Sequence, residues 1–377
     1  MRKVYLTDTV DVAARKRIAW IFDEFERVIV SISGGKDSTV LCWMALQEAH
    51  KRGRKIGLFY LDYEAVYDAT VEEVRYLMSL YPENTEKLWF QFPFCLQNAV
   101  SYQKGGQFLC WNPDLEADWI RPKESDSIQV PPWPTKKTHF KGRIAEYGYN
   151  DADVLSDVHL FYADTAFLVG LRADESLDRF RAVTHHPGYK SVLWSTKSGN
   201  SFNFYPLYDW RYEDIWCFIA REEVKYNKIY DYMYQKGLKV TDIRVDSFLH
   251  GKGFKSLTEL PEFEPSTFDR LLTRVSGVQV GYLYGKDKKM LKAQSLPKGF
   301  QSWKSYRDFL LETYPDEAQK AIFLDRFFKQ PNNEFVARQQ CRQLMLGDYE
   351  NYVPVKRGNA KERTVNKWRG LLNGNQD

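Results

Sequence analysis

The hexapeptide Ser33-Gly34-Gly35-Lys36-Asp37-Ser38 is the part of this sequence whose residue types imply chemistry most directly. It lies between a run of β-branched residues and a stretch with helical spacing, so it reads as a strand-to-helix turn. Two adjacent glycines let the backbone turn its N–H groups inward and approach an anion closely. The helix N-terminus behind them adds positive partial charge, and Lys36 with the hydroxyls of Ser33 and Ser38 adds donors. The spacing describes a phosphate cradle. It is not a Walker A loop, because G-x-x-x-x-G-K-[ST] would need glycine at Val30 and Ser or Thr at Asp37. Other reactive residues say less. Cys95 and Cys110 with His139 or His159 match no zinc spacing and read as buried structural residues, and His185-His186 before Pro187 reads as a polar loop.

The elements that position the cradle alternate in type. A helix is expected over Ala13–Arg27, a strand over Val28–Ile32, a helix over Thr39–Arg52, a strand over Ile56–Leu61, a helix over Ala69–Leu80 and a strand over Lys87–Phe92. Strands alternating with helices of this length imply βαβ units and a parallel sheet covered on both faces. Residues 93–140 interrupt the rhythm with prolines, paired glycines and tryptophans, and read as a long, ordered, irregular insertion. A strand over Ala166–Leu171, a strand and turn from Phe202 and a helix from about Tyr212 resume it. Helices then follow without strands: Pro265–Val275, Ser302–Thr313, Asp316–Lys329 and Asn333–Leu346. The expected fold is α/β, a doubly wound, mostly parallel sheet over residues 1–235, with a mostly helical C-terminal domain over 236–377.

Composition narrows the class. The chain has 377 residues, 44% hydrophobic and 28% charged, which suits about two globular domains and excludes collagen, coiled coil and bulk disorder. No run approaches the ~18 apolar residues of a membrane span and the N-terminus shows no apolar signal region, so a cytoplasmic location without membrane association is expected. Five cysteines without a CxxC pair imply reduced thiols. Net charge is only +4, yet residues 355–369 hold six basic groups and one Glu, a local +5 that could contact nucleic acid or remain a solvated terminus.

SGGKDS after the first strand resembles the pyrophosphate loop of the N-type ATP pyrophosphatases, the PP-loop superfamily with the adenine nucleotide alpha hydrolase-like fold. FYLDYE at 59–64, GLRADESLDRFRA at 170–182 and YPLYDWRYEDIWCFIAREEVKYNKIYD at 205–231 are similar to segments of its phosphoadenosine-phosphosulfate reductase and ATP sulfurylase small-subunit branch. LCWNPD at 109–114, IRVDS at 243–247, the R-V-x-G segment at 274–277 and WKSYRDFLLETYP at 303–315 resemble a subfamily labelled phosphosulfate sulfotransferase, which includes the immunoglobulin-binding regulator A.

The resemblance implies an adenine nucleotide, ATP or a relative, held by Ser33, Gly34, Gly35, Lys36, Asp37 and Ser38, with Asp62 at the adenosine and Arg172, Arg179 and Arg181 at the phosphates. It implies attack on the α-phosphate and transfer of an adenylyl group to a small or macromolecular acceptor, with Lys36, Asp37 and Arg172 as the catalytic set. Mg²⁺ would bridge phosphate oxygens on Asp37, Asp174 and Glu175. The last two also read as an acidic turn paired with Arg179 and Arg181. The family's reductases use a cysteine in a C-terminal E-C-G-[IL]-H motif, which this sequence lacks; Cys341 in RQQCRQLM lies in a helical run. Phosphosulfate reduction or sulfotransfer is the alternative enzyme reading. A nucleotide sensor acting through a protein or DNA partner is the alternative of another class.

Overall fold

Val28, Ile29 and Val30 alternate between the two sides of β1 (Arg27–Ser31), the central strand of the computed structural model, which describes residues 6–100, 106–134, 149–184, 188–240, 243–249, 257–284, 295–349, 351 and 355. β1 pairs in parallel with β2 (Ile56–Leu61) on one side and with β6 (Thr165–Val169) on the other. β3 (Thr85–Phe90) lies parallel beyond β2 and β8 (Ser201–Phe204) parallel beyond β6, while β7 (Ser195–Ser198) closes that edge antiparallel. The order β3-β2-β1-β6-β8-β7 reverses direction between β1 and β6. In an open α/β sheet such a reversal leaves a crevice beyond the strands' C-terminal ends, where ligands bind.

The alternation decides which elements cover which face. Val28, Val30, Leu58 and Tyr60 share a core with α1 (Val10–Glu24), α2 (Lys36–Lys51), α3 (Asp68–Ser79) and α6 (Tyr212–Arg221). Ile29, Phe59, Leu61 and Phe167 face the other way and pack with α4 (Asp151–Phe161), α7 (Ile229–Gln235) and the aromatics of the insertion. Each such side chain contributes about 1.5–3 kcal/mol by leaving water. Both faces are therefore covered, as a doubly wound sheet requires.

The insertion is more regular than its proline content implies. Phe94–Gln97 (β4) and Gln107–Cys110 (β5) form an antiparallel hairpin, and a 3₁₀ turn over Pro113–Asp118 is started by the Asn112 side chain accepting from the Asp114 N–H. Phe94, Phe108, Trp111 and Trp133 are buried on the sheet's second face, so the insertion's aromatics extend the hydrophobic layer that α4 and α7 form there. Helix α2 begins at Lys36, not Thr39, because Gly35 is its N-cap and the loop turns straight into the helix.

Beyond residue 235 the packing divides in two. Ile243, Phe248, Leu260, Phe268 and Leu271, from the 243–249 stretch, α8 (Leu260–Phe263) and α9 (Pro265–Arg274), join the second core of the sheet, with α10 (Val278–Tyr284) following. α11 (Trp303–Glu312), α12 (Glu317–Phe328) and α13 (Glu334–Met345) have a small core of their own around Leu311, Phe323, Phe327 and Leu344. Side chains of Ser302, Asp316 and Asn333 cap these three helices, the residue types that accept best from a first-turn N–H. Among the described residues no helix is long and apolar enough to cross a membrane.

Candidate functional site

The 33–38 loop leaves β1 at the crevice. Gly34 has φ +69°, and a Cβ there would stand 2.7 Å from Thr70 Cγ2, so both conformation and space demand glycine. Asn227 fixes the turn by donating from Nδ2 to the Gly34 carbonyl and to Thr70 Oγ1, 3.0 Å each. Ser38 Oγ donates to the Gly35 carbonyl at 2.9 Å and accepts from the Ser33 N–H at 3.1 Å. The Lys36 N–H donates to the Tyr230 hydroxyl at 3.1 Å. β6 approaches closely as well: a Cβ on Gly170 would lie 2.9 Å from the Ser38 nitrogen. Helix α2 thus starts, its first N–H held by Tyr230, at a cleft of about 670 Å³.

Charge in the cleft is concentrated. Lys36 lies between the rings of Tyr212 and Tyr230, 5.3 and 5.5 Å from their centroids, and pairs with Asp37 Oδ2 at 2.8 Å. Arg172 sits at the end of β6, its side chain only 4% exposed, and pairs with Asp37 Oδ1, with Asp174 at 2.7 Å and with Glu175 at 3.5 Å. Arg179 on α5 (Leu177–Thr184) pairs with the other Glu175 oxygen at 2.9 Å. Burial pushes the Glu175 carboxyl above its ordinary range against the pull of Arg179. For Arg172, burial acts to lower the pKa, but Asp37, Asp174 and Glu175 outweigh it and hold the guanidinium charged.

The opposite wall comes from elements distant in sequence. Tyr63, Leu96 and Gln97, Asp151, and residues 243–247 line it. Tyr63 is presented by two buried carboxylates. Asp62 is fully buried: Oδ1 pairs with Arg121, and Oδ2 accepts from Trp89 Nε1 and Gln91 Nε2 at 2.9 Å each. Glu64, with φ +61°, accepts from Arg274 Nε at 2.8 Å and from the Trp111 N–H at 2.6 Å. Arg274 also donates to the Leu109 carbonyl at 2.7 Å. Glu264 caps α3 through the Asp68 and Ala69 N–H groups at 2.7 and 2.9 Å. The insertion and α9 are welded to the end of β2 by these contacts.

Of the expected site residues, the structure brings Ser33, Gly35, Lys36, Asp37, Ser38, Arg172, Asp174, Glu175 and Arg179 to the cleft, with Gly34 shaping the turn behind them. Asp62 is not there: both its oxygens are committed to protein donors. Arg181 is exposed and pairs at 3.6 Å with Asp178, away from the cleft. His139, His185, His186 and the basic stretch from residue 356 lie outside the described residues. His159 is a core residue that bonds Ser201 Oγ at 2.7 Å.

The expected metal ligands do not form a cage. Asp37, Asp174 and Glu175 converge on Arg172, and among the described residues no group of three His, Cys, Asp or Glu side chains is arranged to hold a metal ion. The donor set is neutralised by Lys36, Arg172 and Arg179 and does not fit a divalent cation. Asn227, Tyr230 and Arg274 were visible in the sequence only as motif letters, in YNKIY and RVSG. Their roles depend on contacts 157 to 210 residues apart.

Residues 154–236 match the phosphoadenosine phosphosulfate reductase domain family, and residues 237–336 match a domain of unknown function, DUF3440. The chain is 31% identical over 321 residues to the "Uncharacterized protein YbdN" of Escherichia coli, covering 81% of this chain and 75% of that protein. The chain belongs to the same family as YbdN. A second relative, the "Uncharacterized protein MJ0066" of Methanocaldococcus jannaschii, is 24% identical over 226 residues, covering 59% of this chain and 38% of that one. Among solved structures, the phosphoadenylyl-sulfate reductase of Candida auris in its phosphate complex aligns with a TM-score of 0.34 and 13% identity, over 62% of this chain and 94% of that one. Residues 154–236 thus carry a phosphosulfate reductase-like domain match within an α/β fold built on a mostly parallel six-stranded sheet.

Proposed function

We propose that the cleft binds an adenine nucleotide, ATP in the first instance, and directs displacement at its α-phosphate. An acceptor oxygen attacks the α-phosphorus, the bond to the oxygen bridging to the β-phosphate breaks, and pyrophosphate leaves with that electron pair. The acceptor takes the adenylyl group. Lys36 neutralises charge that develops on the leaving pyrophosphate, and Arg172 steadies the α-phosphate; cations held beside developing charge lower a barrier most. The observation that carries this reading is the placement of two buried cations beside the N-terminus of α2 in one cleft.

The family match over 154–236 also supports a phosphosulfate nucleotide as ligand, and with it a sulfotransfer or sensing role. Reduction by a protein thiol has less support. Cys42, Cys95, Cys110 and Cys341 are buried, with burial pushing Cys95 and Cys341 up to about 12, and exposed Cys217 does not line the cleft.

The test is to incubate the full chain with ATP and measure pyrophosphate, with nucleotide retained on purification identified by mass spectrometry. Release that Lys36→Ala and Arg172→Ala both abolish is the expected result. ATP retained without turnover supports the sensor, and retained phosphosulfate supports sulfur transfer.

A further inference from the structure

Lys36 in the phosphate loop and Arg172 beyond β6 are two buried cations of the cleft, and one carboxylate binds both. Asp37 Oδ2 accepts from Lys36 Nζ at 2.8 Å and Oδ1 accepts from Arg172 Nε. All three side chains are largely withdrawn from water, 7%, 4% and 14% exposed for Lys36, Arg172 and Asp37. A buried cation without an anion is costly, so a ligand-free site of this design needs its own negative charge. The neighbouring donor is satisfied internally too, since the Lys36 N–H is bonded to the Tyr230 hydroxyl.

Resting on the reading of 33–38 as a phosphate site, we infer that Asp37 is an internal counter-ion occupying the oxyanion positions of that site. The ligand binds by exchanging for it. Asp37 then sets a charge threshold. A singly charged anion offers Lys36 and Arg172 no more than the carboxylate already there, whereas a multiply charged phosphate chain gains more from each donor and displaces it. The sign of the effect distinguishes this from a metal-ligand role: removing a metal ligand weakens phosphate binding, while removing a competing counter-ion strengthens it.

The experiment is calorimetry of the full chain with inorganic pyrophosphate in chelator-treated buffer, comparing wild type with Asp37→Asn, Asp37→Ser and Lys36→Ala. The expected result is that both Asp37 variants bind at least about tenfold more tightly than wild type, because Lys36 then has no carboxylate partner and Arg172 keeps only Asp174 and Glu175, so both cations gain more from a new anion. They should also melt earlier without ligand and recover when pyrophosphate is added. Asp37 variants that bind equally or more weakly, while Lys36→Ala is impaired, overturn the counter-ion and leave the phosphate site intact. Absence of binding to wild type, or equal binding by Lys36→Ala, overturns the phosphate site and this inference with it. Should one Asp37 variant fail to fold, the other carries the comparison; misfolding of both that pyrophosphate does not reverse also contradicts the inference.

Discussion

Asp62 shows how a residue can sit in the expected motif and serve another purpose. Its carboxylate holds Arg121, Trp89 and Gln91, so it shapes the end of β2 and leaves Tyr63, the next residue, to face the cleft. Asp62→Ala should therefore lower the unfolding free energy by about 3–5 kcal/mol in chemical denaturation, because Arg121 is left buried without its partner. An unchanged denaturation midpoint would show that the carboxylate carries little of that load. Cysteine has the opposite status. Cys217→Ser and Cys341→Ser proteins that remain folded should keep nucleotide turnover within a few fold, and loss of turnover without loss of structure would revive a thiol mechanism.

At the scale of elements, the α2–α3 contact has a pH signature. Glu73 is buried; its Oε1 accepts from Thr39 at 3.0 Å, its Oε2 has no hydrogen-bond partner, and burial pushes the carboxyl from 4.5 up to about 7. Between those values the folded chain keeps a proton that the unfolded chain has lost. That stabilisation is complete below pH 4.5 and is lost as pH rises through about 7. Burial moves His159 the other way, from 6.5 to about 4, so its contribution is present above pH 6.5 and lost as pH falls through about 4. Glu73→Gln should remove the decline in melting temperature toward pH 8 while leaving the acid limb in place; a decline that persists would place its cause elsewhere. The central elements were legible in the sequence because parallel strands buried on both faces read as short apolar runs, and Ser302, Asp316 and Asn333 mark helix starts by local chemistry. The hairpin of the insertion was not, since Pro93, Gly105 and Gly106 hide four-residue strands whose pairing is not local. Nor was the fate of Asp62 or Arg181, which depends on Arg121 and Asp178 competing with any ligand for their charge.

For the whole molecule, the consequence of the Glu64–Arg274 and Glu264–α3 contacts is that the region after residue 236 belongs to the site as much as to itself. Arg274→Ala should loosen α9 from the end of β2, visible as faster proteolysis of the 243–284 region and weaker nucleotide binding together; tight binding with α9 released would separate the two. The basic stretch from 356 carries a different expectation. Truncation at residue 355 should leave ATP binding unchanged, and any binding to DNA should weaken with a flatter salt dependence, since each phosphate neutralised releases counterions. The central claim is that residues 33–38 hold the phosphates of an adenine nucleotide, and calorimetric titration of ATP into wild-type and Lys36→Ala protein tests it most directly. Losing a buried, charge-assisted contact of roughly 1.5–3 kcal/mol should weaken binding about ten- to a hundredfold with the fold intact. Equal affinity in the two proteins would contradict the account.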